Sequence, residues 1–144
     1  MDFSFLGKYW KFYLVGAKNT ILLALLAVAG GVLLGTALSL GRISRHRLPR
    51  ILASTYVEFI RGTPLMVQLF VIYYGLKKLG FAFPDLPFLG NIIGMSVPDF
   101  MAGAFTLSIN SGAYVCEIFR AGIQAVDRGQ MEAARALGLG YGPA

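Results

Sequence analysis

A few charged and polar residues interrupt long apolar segments, and their spacing favours pairing over catalysis. Glu58 and Arg61 are three residues apart, and so are Glu117 and Arg120. Side chains at i and i+3 lie on one face of a helix, so each acid would lie near a base. Glu58 and Arg61 have two interpretations: a pair within the protein, or side chains that reach the lipid headgroups. Asn110 lies in another apolar segment, where it either hydrogen-bonds a neighbouring helix or borders a pathway.

A predicted helix break directly follows Arg61. Pro64 has no backbone N–H and disfavours helical structure at the residue before it. A broken helix at membrane depth is tolerated where it packs in protein or lines a cavity. We therefore predict that five residues border a substrate path or its inner gate: Glu58, Arg61, Pro64, Asn110 and Glu117.

A short polar helix is predicted at residues 127–139. Asp127 is a suitable N-cap, and Gly138 is a suitable end because glycine adopts a positive φ without strain. Ala133 and Ala134 leave one face of this helix thin. At about 1.5 Å per residue the helix is too short to cross a bilayer. It either docks on another protein or only joins two membrane spans.

Several other kinds of site lack support in the sequence. The single cysteine, Cys116, excludes a disulfide within the chain, and no metal-ligand cluster is present. There is no Walker-type Gly-Lys-Ser/Thr and no nucleophile beside a base. His46, the only histidine, lies among arginines and is interpreted as a solvated loop residue. We predict a protein that is not an enzyme, with no catalytic residue, metal or cofactor.

The composition is that of a membrane protein. Of the 144 residues, 56% are hydrophobic and 14% charged, against about 25% charged in a typical soluble domain. The net charge of +6 comes from short groups of Lys and Arg between apolar runs, which is typical of span ends in contact with lipid and not of a nucleic-acid surface. An all-α integral membrane protein is predicted.

Three apolar segments are predicted to span the membrane: residues 21–40, 51–76 and 99–119. The first has no charge and, at about 1.5 Å per residue, matches a hydrocarbon core of about 30 Å. Its three glycines, Gly30, Gly31 and Gly35, offer a surface for close helix packing, or are merely tolerated in lipid.

Residues 1–20 carry aromatic residues and lysines at helical spacing and are predicted to form an interfacial helix. A cleaved signal peptide is the competing interpretation, but the following apolar run is too long for a signal core.

The distribution of arginine predicts the orientation. Residues 41–50 carry Arg42, Arg45, Arg47 and Arg50, which favours the cytoplasmic side. The N-terminus and residues 77–98 are then outside, and residues 121–144 are inside. Both Glu–Arg motifs fall at the cytoplasmic edge of the membrane in this arrangement.

Three stretches resemble a known family. Gly129-Gln130-Met131-Glu132-Ala133-Ala134, followed by Gly138, resembles the EAA loop of the membrane subunits of bacterial ABC importers. Residues 58–68, E-F-I-R-G-T-P-L-M-V-Q, and residues 110–123 resemble permeases for polar amino acids. The resemblance extends over nearly the whole chain. It implies a fold of roughly five membrane helices, of which this chain is expected to be the N-terminal part.

The resemblance also implies partners and a location. Residues 127–139 would be a cytoplasmic coupling helix seated in a cleft of a separate ABC ATPase subunit, through Gly129, Glu132, Ala133, Ala134 and Gly138. A second permease subunit, identical or paralogous, would complete the pathway. An extracellular or periplasmic binding protein would deliver a polar amino acid, whose identity the sequence does not give. The location would be the bacterial plasma (inner) membrane, with several spans.

Two alternatives come from other classes of protein. A secondary transporter or channel would use the broken helix and Glu58 for ion coupling, without an ATPase. A structural membrane anchor would need none of the polar residues within the spans.

Overall fold

The computed structural model describes residues 4–140 and 142, and all of its regular secondary structure is helical, with no β-strand among these residues. A π-helical segment, Val71–Gly75, joins the helices Leu65–Phe70 and Leu76–Lys78. The helices in chain order are α1 (Ser4–Ile43), α2 (Arg47–Gly62), α3 (Leu65–Phe70), α4 (Leu76–Lys78), α5 (Pro87–Ile93), α6 (Val97–Gln124) and α7 (Arg128–Ala136). The predicted all-α class is confirmed.

The first helix is unbroken from Ser4 to Ile43. No proline interrupts it, and the Thr20 hydroxyl donates a 2.9 Å hydrogen bond to the Gly16 carbonyl within the helix. The predicted boundary between an interfacial helix at residues 1–20 and a span at 21–40 is therefore not a helix end; residues 1–3 lie outside the described residues. Gly7–Ile43 is long and apolar enough to cross a membrane.

Small residues let α1 pack closely against α6. A Cβ built on Gly30 would lie 2.6 Å from the Ser108 hydroxyl, and one on Gly35 would lie 2.7 Å from the Val115 Cβ. The predicted packing face of glycines is confirmed. The contacts advance in the same direction along both helices, so α1 and α6 run parallel. A parallel pair requires the chain to return between them, through α2 to α5.

The predicted break at Pro64 is confirmed. α2 ends at Gly62, α3 begins at Leu65, and the axes on the two sides of the break differ by 105°. The segment predicted as one span at residues 51–76 thus consists of two differently directed parts, and its helix begins at Arg47. Ile60 and the neighbouring Val57 of α2 are buried against α6.

A second bend, which the sequence analysis did not predict, separates α5 from α6 by 76°. α5 ends at Ile93, and its C-cap residue, Gly94, has a φ of +72° in the left-handed region. α6 begins at Val97 and ends at Gln124, beyond both ends of the segment predicted at residues 99–119. By length and composition, one helix of the described residues can span a membrane, or up to three if each bent pair is one span.

Candidate functional site

One carboxylate joins three helices, α1, α2 and α6, near their C-terminal ends. Glu117 of α6 forms an ion pair with Arg42 of α1, through Nη1 and Oε1. Arg61 of α2 places its Nη1 3.4 Å from the same oxygen. Arg120 of α6 places its Nη2 2.9 Å from the other oxygen, Oε2. We call these four residues the Glu117 cluster.

The helices themselves favour this arrangement of charge. Arg42 lies in the last turn of α1 and Arg61 in the last turn of α2, where a helix dipole attracts a cation. The Arg61 guanidinium also lies 5.5 Å from the centre of the Tyr114 ring, a cation–π distance. Three guanidinium groups around one carboxylate leave the cluster positively charged.

The structure separates the two predicted Glu–Arg pairs. Glu117 and Arg120 pair as expected, whereas Arg61 pairs with Glu117 and not with Glu58. Glu58 is exposed and has no ion pair in the described part of the chain. The interpretation that Glu58 pairs with Arg61 is therefore wrong, because the direction of α2 carries Arg61 towards α6.

A second group of hydrogen-bonded polar residues lies nearer the middle of α6. The Asn110 Nδ2 donates to the Gln68 Oε1 at 3.1 Å. The Gln68 Nε2 donates to the carbonyl oxygens of Ile60 at 2.7 Å and Thr63 at 3.1 Å. The same nitrogen lies 2.8 Å from the Thr63 hydroxyl oxygen, so its two protons are shared among three acceptors. Pro64 lies within this group as the N-cap residue of α3.

The two ends of the helix bundle are separated by about the thickness of a membrane's hydrocarbon core. At the end opposite the Glu117 cluster, the Lys77 Nζ lies 3.4 Å from the Asp99 Oδ1. From Asp99 to Glu117, α6 rises about 27 Å at 1.5 Å per residue, close to the thickness of a hydrocarbon core. Asn110 lies about 10 Å from Glu117 along this axis. The Gln68–Asn110 bond is therefore well inside the bundle.

The predicted coupling helix is α7, a short helix with both ends capped. The Asp127 carboxylate accepts a 2.7 Å hydrogen bond from the Gly129 N–H. Gly138 has a φ of +87°, as predicted for the helix end. Its N–H bonds the Arg135 carbonyl while the Leu139 N–H bonds the Ala134 carbonyl, the pattern of a Schellman motif. Glu132 and Ala133 are exposed, and Ala134 is half-buried.

Sequence reasoning missed two residues of these groups. In the sequence, Arg42 indicates only the cytoplasmic side, although it is one of the two bases on the Glu117 Oε1. In the sequence, Gln68 is only one residue of the family-like stretch, although it is 7% exposed and its amide lies within hydrogen-bond distance of four partner atoms. An amide in an otherwise apolar run, shortly after a proline, was the signal available for Gln68.

We expect Glu117→Gln to destabilise the protein, because it removes the anion that holds three arginines together. The loss is expected to be about 1.5–3 kcal/mol, as for a hydrogen bond to a charged group. Glu58→Gln is the matched control, since Glu58 is exposed and unpaired among the described residues. Thermal unfolding of the detergent-purified protein measures both changes. Equal unfolding temperatures for the two variants would contradict the proposed role of the cluster.

Apolar helices with charge at the two ends and hydrogen-bonded polar groups inside define a helical membrane protein. Three or more potential metal ligands do not lie together anywhere in the described part of the chain. The chain belongs to the family of binding-protein-dependent transport system inner membrane components, which matches residues 15–142. This is a family of transport components.

Individual relatives agree with this assignment. The chain is 41% identical over 140 residues to a Rickettsia conorii protein named a glutamine transport system permease protein, covering 95% of this chain and 58% of that protein. It is 40% identical over 142 residues to the arginine transport system permease protein ArtQ of Bacillus subtilis, covering 99% and 59%. A crystal structure of an amino acid ABC transporter with histidines aligns with a TM-score of 0.79 and 45% identity, covering 99% of this chain and 60% of that one. The chain thus spans less than two thirds of these relatives.

Proposed function

We propose that this chain is part of a membrane-spanning permease subunit of a bacterial ABC importer, which moves a polar amino acid into the cytoplasm. The observation that carries this proposal is the position of α7. It is an exposed, capped helix that follows α6 just after the Glu117 cluster, so its surface is open to a soluble partner. The names of the relatives support an amino-acid substrate, and they include both glutamine and arginine.

The proposal includes three protein partners. A separate ABC ATPase subunit binds α7 and hydrolyses ATP, while this chain performs no chemistry on phosphate. A second permease subunit, identical or paralogous, completes the pathway. An extracellular or periplasmic amino-acid-binding protein delivers the substrate to the outer end, near Lys77 and Asp99. The subunit lies in the bacterial plasma (inner) membrane and crosses it several times.

Uptake by vesicles tests this function directly. The full-length protein is co-expressed with its ATPase and supplied with the external binding protein, and entry of labelled glutamine and arginine is measured with and without ATP. We expect uptake to require ATP. Uptake that instead follows an ion gradient without ATP would favour a secondary transporter.

The proposed orientation predicts which loops a membrane-impermeant thiol reagent reaches. Two single-cysteine variants, His46→Cys and Asp85→Cys, are made in a Cys116→Ala background; both positions are exposed in the structure. We expect position 85 to be labelled in intact cells, and position 46 only after the membrane is permeabilised. Strong labelling of position 46 from outside would contradict the orientation.

A further inference from the structure

The break between α2 and α3 leaves a buried carbonyl group without its helical donor. In a continuous helix the Ile60 carbonyl would accept a hydrogen bond from the N–H of residue 64. That residue is Pro64, which has no N–H. Ile60 is 8% exposed and packs against α6, so water is a poor substitute there. An unpaired carbonyl in this position is costly, and a side chain must supply the donor.

Gln68 supplies that donor from the other side of the break. Its Nε2 lies 2.7 Å from the Ile60 carbonyl oxygen, 3.1 Å from the Thr63 carbonyl oxygen and 2.8 Å from the Thr63 hydroxyl. The Thr63 hydroxyl shares its single proton between the Phe59 carbonyl at 3.1 Å and the Ile60 carbonyl at 3.3 Å, so the Gln68 amide is the closer donor to Ile60. The lone pairs of the hydroxyl remain to accept from Gln68. The side chain of Gln68 thus connects the end of α2 to the first turns of α3.

These acceptors fix the orientation of the Gln68 amide. Carbonyl oxygens only accept hydrogen bonds, so the amide nitrogen must face them and the amide oxygen must face away. The oxygen then requires a donor, and the Asn110 Nδ2 lies 3.1 Å from it. The neighbouring residue of α6, Ile109, accepts a 2.9 Å hydrogen bond from the Tyr56 hydroxyl of α2. Both sides of the break are therefore bonded to the same level of α6.

We propose that Gln68 is a positioning residue for transport, through which α6 controls the broken second span. When α6 shifts along its axis, either the Asn110–Gln68 hydrogen bond moves the break between α2 and α3 with it, or that bond breaks. α6 ends at Gln124, shortly before α7, so it is the element that carries movement of α7 into the bundle. The π-helical segment begins three residues after Gln68 and lies between the break and the outer end. This inference rests on the proposed function.

The first test is Gln68→Met in the full-length transporter with its ATPase. Methionine has nearly the same length and is apolar, but it makes none of the four hydrogen bonds. We expect uptake per transporter to fall at least ten-fold while ATP hydrolysis continues, so that more ATP is hydrolysed for each amino acid transported. A residue that only stabilised the protein would change its amount and not this ratio. Val67→Met is the control, because Val67 is adjacent and 49% exposed.

A double-mutant cycle tests the bond to α6. Asn110→Leu removes the donor to the Gln68 Oε1 while leaving the bonds from Gln68 to α2 intact. We expect Asn110→Leu to raise the ATP-to-substrate ratio, and the double variant with Gln68→Met to be no worse than the worse single variant. If the effects of the two single variants on the ATP-to-substrate ratio multiply in the double variant, the inference is wrong.

The outcomes distinguish this inference from the proposed function. If the wild-type complex shows no ATP-driven uptake, the proposed function and the inference that rests on it are both wrong. If the wild type transports and Gln68→Met keeps the wild-type ratio, only the inference is wrong. If Gln68→Met does not accumulate in the membrane, Asn110→Leu is the deciding variant. A wild-type ratio of ATP hydrolysed to amino acid transported in Asn110→Leu would overturn the inference.

Discussion

Replacing Gly35 with valine is expected to force α1 and α6 apart and to lower the amount of folded protein in the membrane. A Cβ at this position would lie 2.7 Å from the Val115 Cβ and 2.9 Å from the Gly112 carbonyl oxygen. The second contact is with backbone, which no side-chain rotation relieves. We expect a loss of about 1–3 kcal/mol or more, the usual cost of overpacking. Membrane abundance and thermal unfolding of the detergent-purified protein measure it.

The matched control is Gly16→Val on the same helix. A Cβ built on Gly16 has no atom within 4 Å, so this change has the same effect on helix propensity without the clash. The difference between the two variants isolates the cost of separating α1 from α6. If Gly35→Val unfolds at the same temperature as Gly16→Val, the close packing of α1 against α6 is wrong.

The sequence contained the local determinants of this fold. The glycines of α1 indicate a packing surface because they lack a side chain, and Pro64 indicates a break because it lacks a donor. Neither feature indicates which helix lies opposite. That Gly35 meets Val115 depends on contacts between residues far apart in the chain. For the same reason, the bend between α5 and α6 was not predicted.

The Glu117 cluster shows why the ion pairs could not be predicted from residue spacing alone. Spacing of i and i+3 makes pairing possible, but such a pair contributes only about 0.2–0.5 kcal/mol on an isolated helix. The direction of α2 is decided by burial of Val57 and Ile60 against α6, and this carries Arg61 to Glu117. Arg42 joins them because α1 and α6 run parallel and bring their C-terminal ends together. Packing of apolar side chains thus determined the ion pairs.

The largest effect on transport is expected in α7, where Ala133→Trp should abolish binding of the ATPase subunit while leaving the protein in the membrane. Ala133 is exposed, so the indole does not disturb the bundle. It does enlarge the thin face that the proposed function seats in a cleft of the ATPase. Leu79→Trp is the control, because it places the same side chain at an 82% exposed position at the other end of the bundle. Co-purification of the ATPase and substrate-stimulated ATP hydrolysis are the measurements.

The end of α7 provides an independent variant with the same expected loss. Gly138 has a φ of +87° and closes the Schellman motif, so Gly138→Val strains the backbone and changes the path of the chain after the helix. No atom lies within 4 Å of a Cβ built there, so strain and not a clash is the cause. Gly142→Val is the control, since Gly142 lies four residues further on, outside α7 and its Schellman motif. A helix that only joins two spans would tolerate both Ala133→Trp and Gly138→Val. Wild-type ATPase binding and stimulated hydrolysis in either variant would therefore show that α7 is not the docking helix.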